Sequence, residues 1–137
     1  MGKRFYIDTA IWRDYYENRS DAFRNLGEFA EKFFKRAVAE EWELLYSDMM
    51  LYELERYFLE AEIRQLLAVG KPMLCKLTIS ESQWKEAEYL SEARAVPFGD
   101  ALHAVLARDN GAIVVTRDRD FVKLRDIADW RKPEELL

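Results

Sequence analysis

Short apolar runs alternate along this chain with long stretches of helical periodicity, and this alternation narrows the possible folds more than any other feature. Phe5-Tyr6-Ile7, Leu44-Leu45-Tyr46-Ser47, Met73 to Ile79 and Ala112 to Val115 read as strands. Between the first two, Phe23, Leu26, Ala30, Phe33 and Ala37 recur at steps of three and four. That spacing predicts a helix from about Ser20 to Glu40, capped by Ser20 or Asp21. A second helix is expected from Asp48 to the stop signal Gly70-Lys71-Pro72. A third runs from Ser80 to Arg94, with Gln83 at capping-box distance from Ser80. Pro97-Phe98-Gly99 breaks the chain, and Asp100 opens a helix that ends at Asn110-Gly111. The tail IADWRKPEELL adds a short strand and one helical turn. Strands that alternate with helices imply a parallel sheet covered on both faces. The expected fold is a single α/β domain over residues 1–137, with a central, mainly parallel sheet of about five strands flanked by helices.

Composition removes several function classes. The net charge of −5 argues against a uniformly basic nucleic-acid binder, though not against a local basic patch or a bridging metal. Cys75 is the only cysteine, so neither a disulfide framework nor a zinc cluster is expected. The longest run without a charged residue is seven, against the ~20 needed to span a bilayer. The opening MGKRFYIDT enters a strand pattern directly, unlike a signal peptide. A cytoplasmic protein with no membrane association is expected.

In open parallel sheets, sites form beyond the carboxyl ends of the strands. Asp8 follows the first predicted strand there, and Asp118 and Asp120 follow the fourth. Asp100 opens a helix of very low charge, and Glu53 lies early in the helix after the second strand. Each acid has a simpler reading. Asp8 and Asp100 suit helix caps, Asp118 and Asp120 suit turns, and Glu53 suits an exposed surface. Helical periodicity does not choose between Glu53 and Glu55. Together the acids are harder to dismiss, because unpaired carboxylates about 4 Å apart repel by ~4 kcal/mol at an effective dielectric of 20. Converging acids need protons or a cation, and an all-oxygen set suits Mg²⁺ or Mn²⁺. Such an ion polarises a phosphoryl oxygen and stabilises a leaving oxygen. His103, one turn after Asp100, reads first as a structural hydrogen-bonding residue. Lys3, Arg4, Arg13, Arg117 and Arg119 are placed near the rim, with Arg117 and Arg119 the preferred phosphate contacts.

Four blocks in order resemble the PIN-domain family of metal-dependent ribonucleases, especially the small toxins of VapBC-type toxin–antitoxin pairs. FYIDTAIW is similar to the family's opening strand and marks Asp8 and Thr9. YSDMMLYELER resembles the segment in which a Ser precedes Glu-Leu by six residues, which selects Glu53 over Glu55. PFGDALHAVLA marks Asp100, and VVTRDRDF marks Thr116 and Asp118, with Asp120 an additional candidate ligand. The stretch between Glu53 and Asp100 matches no block.

The resemblance implies a PIN-like three-layer domain. It also implies an endoribonuclease in which Asp8, Glu53, Asp100 and Asp118 hold Mg²⁺ or Mn²⁺ and RNA is cut to a 5′-phosphate and a 3′-hydroxyl. Thr9, Thr116, Arg117 and Arg119 would meet the substrate. A homodimer and a small antitoxin protein are the implied partners. The alternative is a catalytically silent PIN-like module that binds RNA or protein. A phosphatase of the haloacid dehalogenase type is disfavoured, because DTAIW lacks that group's Asp-x-Asp.

Overall fold

The computed structural model describes residues 2–137. In chain order its elements are β1 (Arg4–Ile7), α1 (Thr9–Glu17), α2 (Leu26–Ala39), β2 (Glu43–Ser47), α3 (Asp48–Leu54) and α4 (Glu60–Leu67). They are followed by β3 (Leu74–Leu77), α5 (Glu81–Arg94), α6 (Phe98–Asp109), β4 (Ile113–Val115) and β5 (Trp130–Arg131). A 3₁₀ turn at Arg119–Leu124 joins β4 to β5, and another closes the tail at Pro133–Leu136.

The five strands form one sheet in the order β3-β2-β1-β4-β5, with every adjacent pair parallel. β1 is the centre, because side chains alternate across it and both faces are covered. Phe5 and Ile7 enter a core with Trp12, Phe33, Phe34 and Leu54. Tyr6 faces the other way, into a core built from α5, α6 and the Arg119–Leu124 turn. The result is three layers, helices on sheet on helices, as the alternating pattern requires. The chain winds from β1 outward to β3 and then crosses back to β4, so the order reverses between β1 and β4. Among the described residues, no helix is long and apolar enough to cross a membrane.

Two helices differ from expectation. The predicted Ser20–Glu40 helix begins only at Leu26, where Asn25 caps it by accepting from Glu28 N at 3.1 Å. Asp21 is occupied in a turn instead. Its Oδ1 accepts from Phe23 N and Arg24 N, and its Oδ2 holds the Arg24 guanidinium. Phe23, placed on the apolar stripe by its spacing, is 94% exposed. The preceding residues form a separate helix, α1, which ends at Asn18 in the left-handed region. The helix expected from Asp48 onward is broken between α3 and α4, where Phe58 turns into the core and Glu62 accepts from Leu59 N to start α4. The Ser80–Gln83 capping box is formed, with both reciprocal bonds present. Arg4 and Lys3 lie at the amino end of the sheet, away from the carboxyl ends. Arg4 pairs there with Glu43 at 2.6 Å, and Lys3 stands over the Trp42 ring.

The two phenylalanines of the apparent stripe should separate sharply on truncation. Phe33→Ala, fully buried, should cost about 3–5 kcal/mol in urea unfolding, and Phe23→Ala should stay within about 0.5 kcal/mol. Comparable losses would place Phe23 in the core.

Candidate metal centre

The site lies where the strand order reverses, beyond the carboxyl ends of β1 and β4. The β1–β4 ladder continues one residue past the strands. Asp8 N–H donates to Val115 O at 3.0 Å, which brings the Asp8 side chain beside Thr116. Asp8 occupies the N-cap position of α1, but its side chain makes no cap bond. Its Oδ2 accepts from Thr116 Oγ1 at 2.8 Å instead. The same threonine oxygen accepts from Asp118 N at 3.0 Å, and Asp118 Oδ1 accepts from Asp120 N at 2.9 Å. The turn reading of Asp118 therefore holds for one of its oxygens.

α6 supplies Asp100 from its first turn, with Pro97 rather than Asp100 at the N-cap. Asp100 is buried, and its Oδ2 has no hydrogen-bond partner among the described residues. One carboxylate oxygen from each of Asp100, Asp118 and Asp120 lies within 4.8 Å of the others. α3 supplies Glu53 from its last turn, while Glu55 is exposed. Asp8, Thr9, Glu53, Asp100 and Asp118 share a concavity of about 230 Å³.

Glu53 is held by a buried relay. His103 Nε2 donates to Glu53 Oε1 at 2.6 Å, and Thr9 Oγ1 donates to the same oxygen at 2.8 Å. His103 Nδ1 meets Tyr6 OH at 2.7 Å, and Tyr6 OH meets Ser47 Oγ at 2.6 Å. Because a carboxylate only accepts, Nε2 carries a proton, and Nδ1 shares its hydrogen bond with Tyr6 OH. Tyr6, Ser47 and His103 are fully buried. His103 therefore orients Glu53, in keeping with a structural reading.

The carboxyl groups respond to their surroundings in opposite directions. Burial pushes Asp100 up to about 9, helped by the charge of Asp8, by Asp118 as hydrogen-bond partner of the protonated group and as a charge, and by the charge of Glu53. Burial also raises Asp8, against the opposing influence of His103 and Thr116. Glu53 is buried too, but the hydrogen bond and charge of His103, with Thr9, outweigh that and hold it below the usual carboxylate value.

Further residues bear on the site besides the acids and their direct hydrogen-bond partners. Arg13 and Arg56 line the acidic concavity, and the Arg13 guanidinium sits 3.6 Å above the Tyr57 ring. Arg13 is one of the bases the sequence placed near the rim; Arg56 was not singled out, and its position three residues after Glu53 on a helix is the sequence signal that could have found it. Arg117 and Arg119 line a different cleft. Arg117 pairs there with Glu134 at 2.7 Å and approaches Asp14 at 3.5 Å. Gly99 matters for space, because a Cβ there would overlap Glu53 Oε2.

The donor set fits a hard divalent cation. It is all oxygen and clustered, and it contains a buried carboxylate oxygen with no internal partner. A five-stranded parallel α/β domain with a carboxylate cluster at its switch point defines the class. The family model described as the PIN domain matches residues 5–127, and the chain belongs to that family.

Solved structures agree on the fold. VapBC2 from Rickettsia felis, bound to a DNA fragment from its promoter, is 13% identical with a TM-score of 0.68, covering 94% of this chain and 98% of that one. VapBC-1 from nontypeable Haemophilus influenzae is 16% identical with a TM-score of 0.68, covering 96% and 98%. FitAcB from Neisseria gonorrhoeae is 14% identical with a TM-score of 0.62, covering 96% and 99%. No curated protein matches the sequence.

The raised Asp100 carboxyl sets the sign of a pH effect. Its extra affinity for a proton stabilises the metal-free fold fully below the unfolded value of about 4, and that contribution is lost as pH rises through about 9. Melting of the metal-free protein should therefore fall between pH 6 and pH 9, and Asp100→Asn should flatten the trend. Mn²⁺ at about 100 times its dissociation constant should restore ~2.7 kcal/mol, a shift on the order of 10 °C. A pH-independent wild-type melt with no Mn²⁺ response would contradict a converged acid cluster.

Gly99→Ala tests how tightly Glu53 is seated. Alanine is the better helix former, but displacing Glu53 would strip buried His103 of its partner, so the metal-free melt should fall modestly. Displacing Glu53 should weaken Mn²⁺ binding roughly ten-fold or more in calorimetry. Unchanged Mn²⁺ affinity would show that Glu53 is not part of the centre.

Proposed function

We propose that this protein is a Mg²⁺- or Mn²⁺-dependent endoribonuclease acting as the toxin of a VapBC-type pair. The observation that carries the reading is the unpartnered, buried Asp100 Oδ2 inside a carboxylate cluster at the switch point of a PIN-family fold. Asp8, Glu53, Asp100 and Asp118, with Asp120 beside them, would hold the ion. When bound, it supplies Lewis-acid polarisation of the phosphoryl group and stabilises the leaving oxygen.

The remaining work falls to the chain's own groups. Glu53, kept anionic by His103 and Thr9, is suited to orient a water at the concavity and to take its proton. Thr116 fixes Asp8 and the backbone of Asp118 in one orientation. Thr9 fixes Glu53, and Arg13 and Arg56 offer positive charge to the phosphate beside the acids. The products would be a 5′-phosphate and a 3′-hydroxyl. A silent RNA-binding module is disfavoured, because carboxylates facing phosphates weaken binding unless a cation intervenes.

A small antitoxin protein is the proposed partner, supported by the VapBC structures that share the fold. Self-association and a cytoplasmic location belong to the same proposal. Exposed Tyr52, Trp84 and Tyr89 favour a partnered surface.

Purified protein should cleave single-stranded RNA with Mg²⁺ or Mn²⁺ and stop on chelation. Asp8→Asn and Asp100→Asn should each lower the rate by roughly 100-fold or more, with circular dichroism unchanged. Glu53→Gln should be more damaging than Glu55→Gln. Wild-type rates in either aspartate variant, or cleavage surviving chelation, would rule the mechanism out.

A further inference from the structure

The VVTRDRDF segment sends its acids to the candidate metal centre and its bases elsewhere. Arg24, Arg117, Arg119, Arg125 and Lys132 line one cleft of about 320 Å³, with Trp130 and Val122 as its apolar wall, and no carboxylate is among the lining residues. That is a concentrated positive surface on a chain of net charge −5.

The lining cations fall into two groups. Arg117 and Arg24 are committed, to Glu134 at 2.7 Å and to Asp21 at 2.7 Å, and form a fixed wall. Arg119, Arg125 and Lys132 have no ion-pair partner among the described residues, and the two arginines are exposed. Most arginines of this chain are paired: Arg4, Arg13, Arg19, Arg64, Arg94, Arg108 and Arg131 each hold a carboxylate. Outside the cleft, Arg36 and Arg56 lack one. Arg36 bonds Leu136 O, and Arg56 lines the acidic concavity. Of the four arginines left without a carboxylate among the described residues, Arg56, Arg119 and Arg125 therefore lie at these two concavities and Arg36 lies elsewhere.

Position links these concavities. Arg119 lies between Asp118 and Asp120, both members of the carboxylate cluster. The parallel register Val114↔Trp130 and Val115↔Arg131 brings Trp130 and Lys132 to the same end of the sheet. A phosphate at the acids has this cleft as its neighbour along the β5 side. We propose that the cleft is a second phosphate-binding site, which holds the backbone of an RNA strand beyond the scissile bond; this rests on the ribonuclease reading above. Unpaired guanidinium and ammonium groups beside an aromatic wall match the chemistry of single-strand binding. Its separation from the acids keeps these cations out of the metal centre.

The test measures binding in the Asp100→Asn background, where the strand stays intact. A labelled 20-nucleotide single-stranded RNA is titrated against that parent and against the same protein carrying Arg119→Glu and Arg125→Glu. A third protein carries Lys35→Glu and Lys85→Glu on α2 and α5, with the same change in net charge. The cleft variant should lose at least about ten-fold in affinity, and its dependence on log salt should become shallower by about 1.4 for two lost phosphate contacts. The α2/α5 variant should lose less than about two-fold. If charge reversal impairs folding, Arg119→Gln with Arg125→Gln should show the same shallower salt dependence. Unchanged affinity and slope, or an equal loss in the α2/α5 variant, would overturn the cleft as an RNA path. So would inorganic pyrophosphate raising the parent's melting temperature through these arginines while RNA binding stays the same, which would mark a small-anion site. Wild-type cleavage with cleft-independent binding defeats this proposal alone. Cleft-dependent binding without wild-type cleavage defeats the nuclease reading alone.

Discussion

The parallel pairing of β1 with β4 is the contact on which the candidate site depends. The register Ile7↔Val115 continues past both strands, through Asp8 N to Val115 O and then through Thr116 Oγ1 to Asp8 Oδ2. Residues 108 positions apart in sequence are thereby fixed at hydrogen-bond distance. A slip of one residue would exchange the faces of β1. Phe5 and Ile7 would leave the aromatic core, and Tyr6 would lose both Ser47 and His103. The packing that sets this register also sets the position of Asp8, so core and site cannot be altered independently there.

Once the acids are gathered, their charge must be managed, and the fold does so unevenly. Glu53 receives two donors on one oxygen and stays a carboxylate despite burial. Asp8 receives Thr116. Asp100 receives nothing at Oδ2, so the burial that Glu53 overcomes raises Asp100 towards the neutral form. A cation would reverse that balance at Asp100 more than at its neighbours, because Asp100 Oδ2 is the oxygen of the cluster that lies buried without a partner among the described residues. His103 contributes indirectly, since its anchoring by Tyr6 leaves Nε2 aimed at Glu53. The Ser47–Tyr6–His103–Glu53 relay thus connects the start of α3 with its last turn through two other elements.

The sequence exposed the sheet because strand periodicity and helical periodicity are both local properties. The Ser80–Gln83 cap and the short closing strand were legible for the same reason. The start of α2 was not, because Phe23 satisfies the helical spacing while Asp21 captures the backbone N–H groups of residues 23 and 24. Periodicity carries no information about that competition. The break between α3 and α4 was hidden similarly, since burying Phe58 depends on a core assembled elsewhere. At the site, Asp8, Asp118 and Asp120 stood out from their places after strands and Asp100 from opening a helix of very low charge. The Ser47-to-Glu53 spacing separated Glu53 from Glu55, and the structure gives Ser47 physical roles as partner of Tyr6 and cap of α3. The roles of Tyr6 and Gly99 depend on contacts across layers, which a linear pattern does not show.

The alternation of acids and bases in RDRD follows from the short backbone that carries it. Asp118 caps the 3₁₀ turn through Asp120 N, which directs both aspartates towards Asp100. The intervening side chains must leave by another route. Arg117, largely buried, meets Glu134 and Asp14, tying the closing tail and α1 to the exit of β4. Its fork matches two carboxylates where a single ammonium would match one. That pairing also neutralises acids behind the basic cleft, so the field of Arg119 and Arg125 is not cancelled from within. The close spacing of opposite charges is therefore a way to give two adjoining concavities opposite potentials from one turn, with Arg117 as the buried fastening between them.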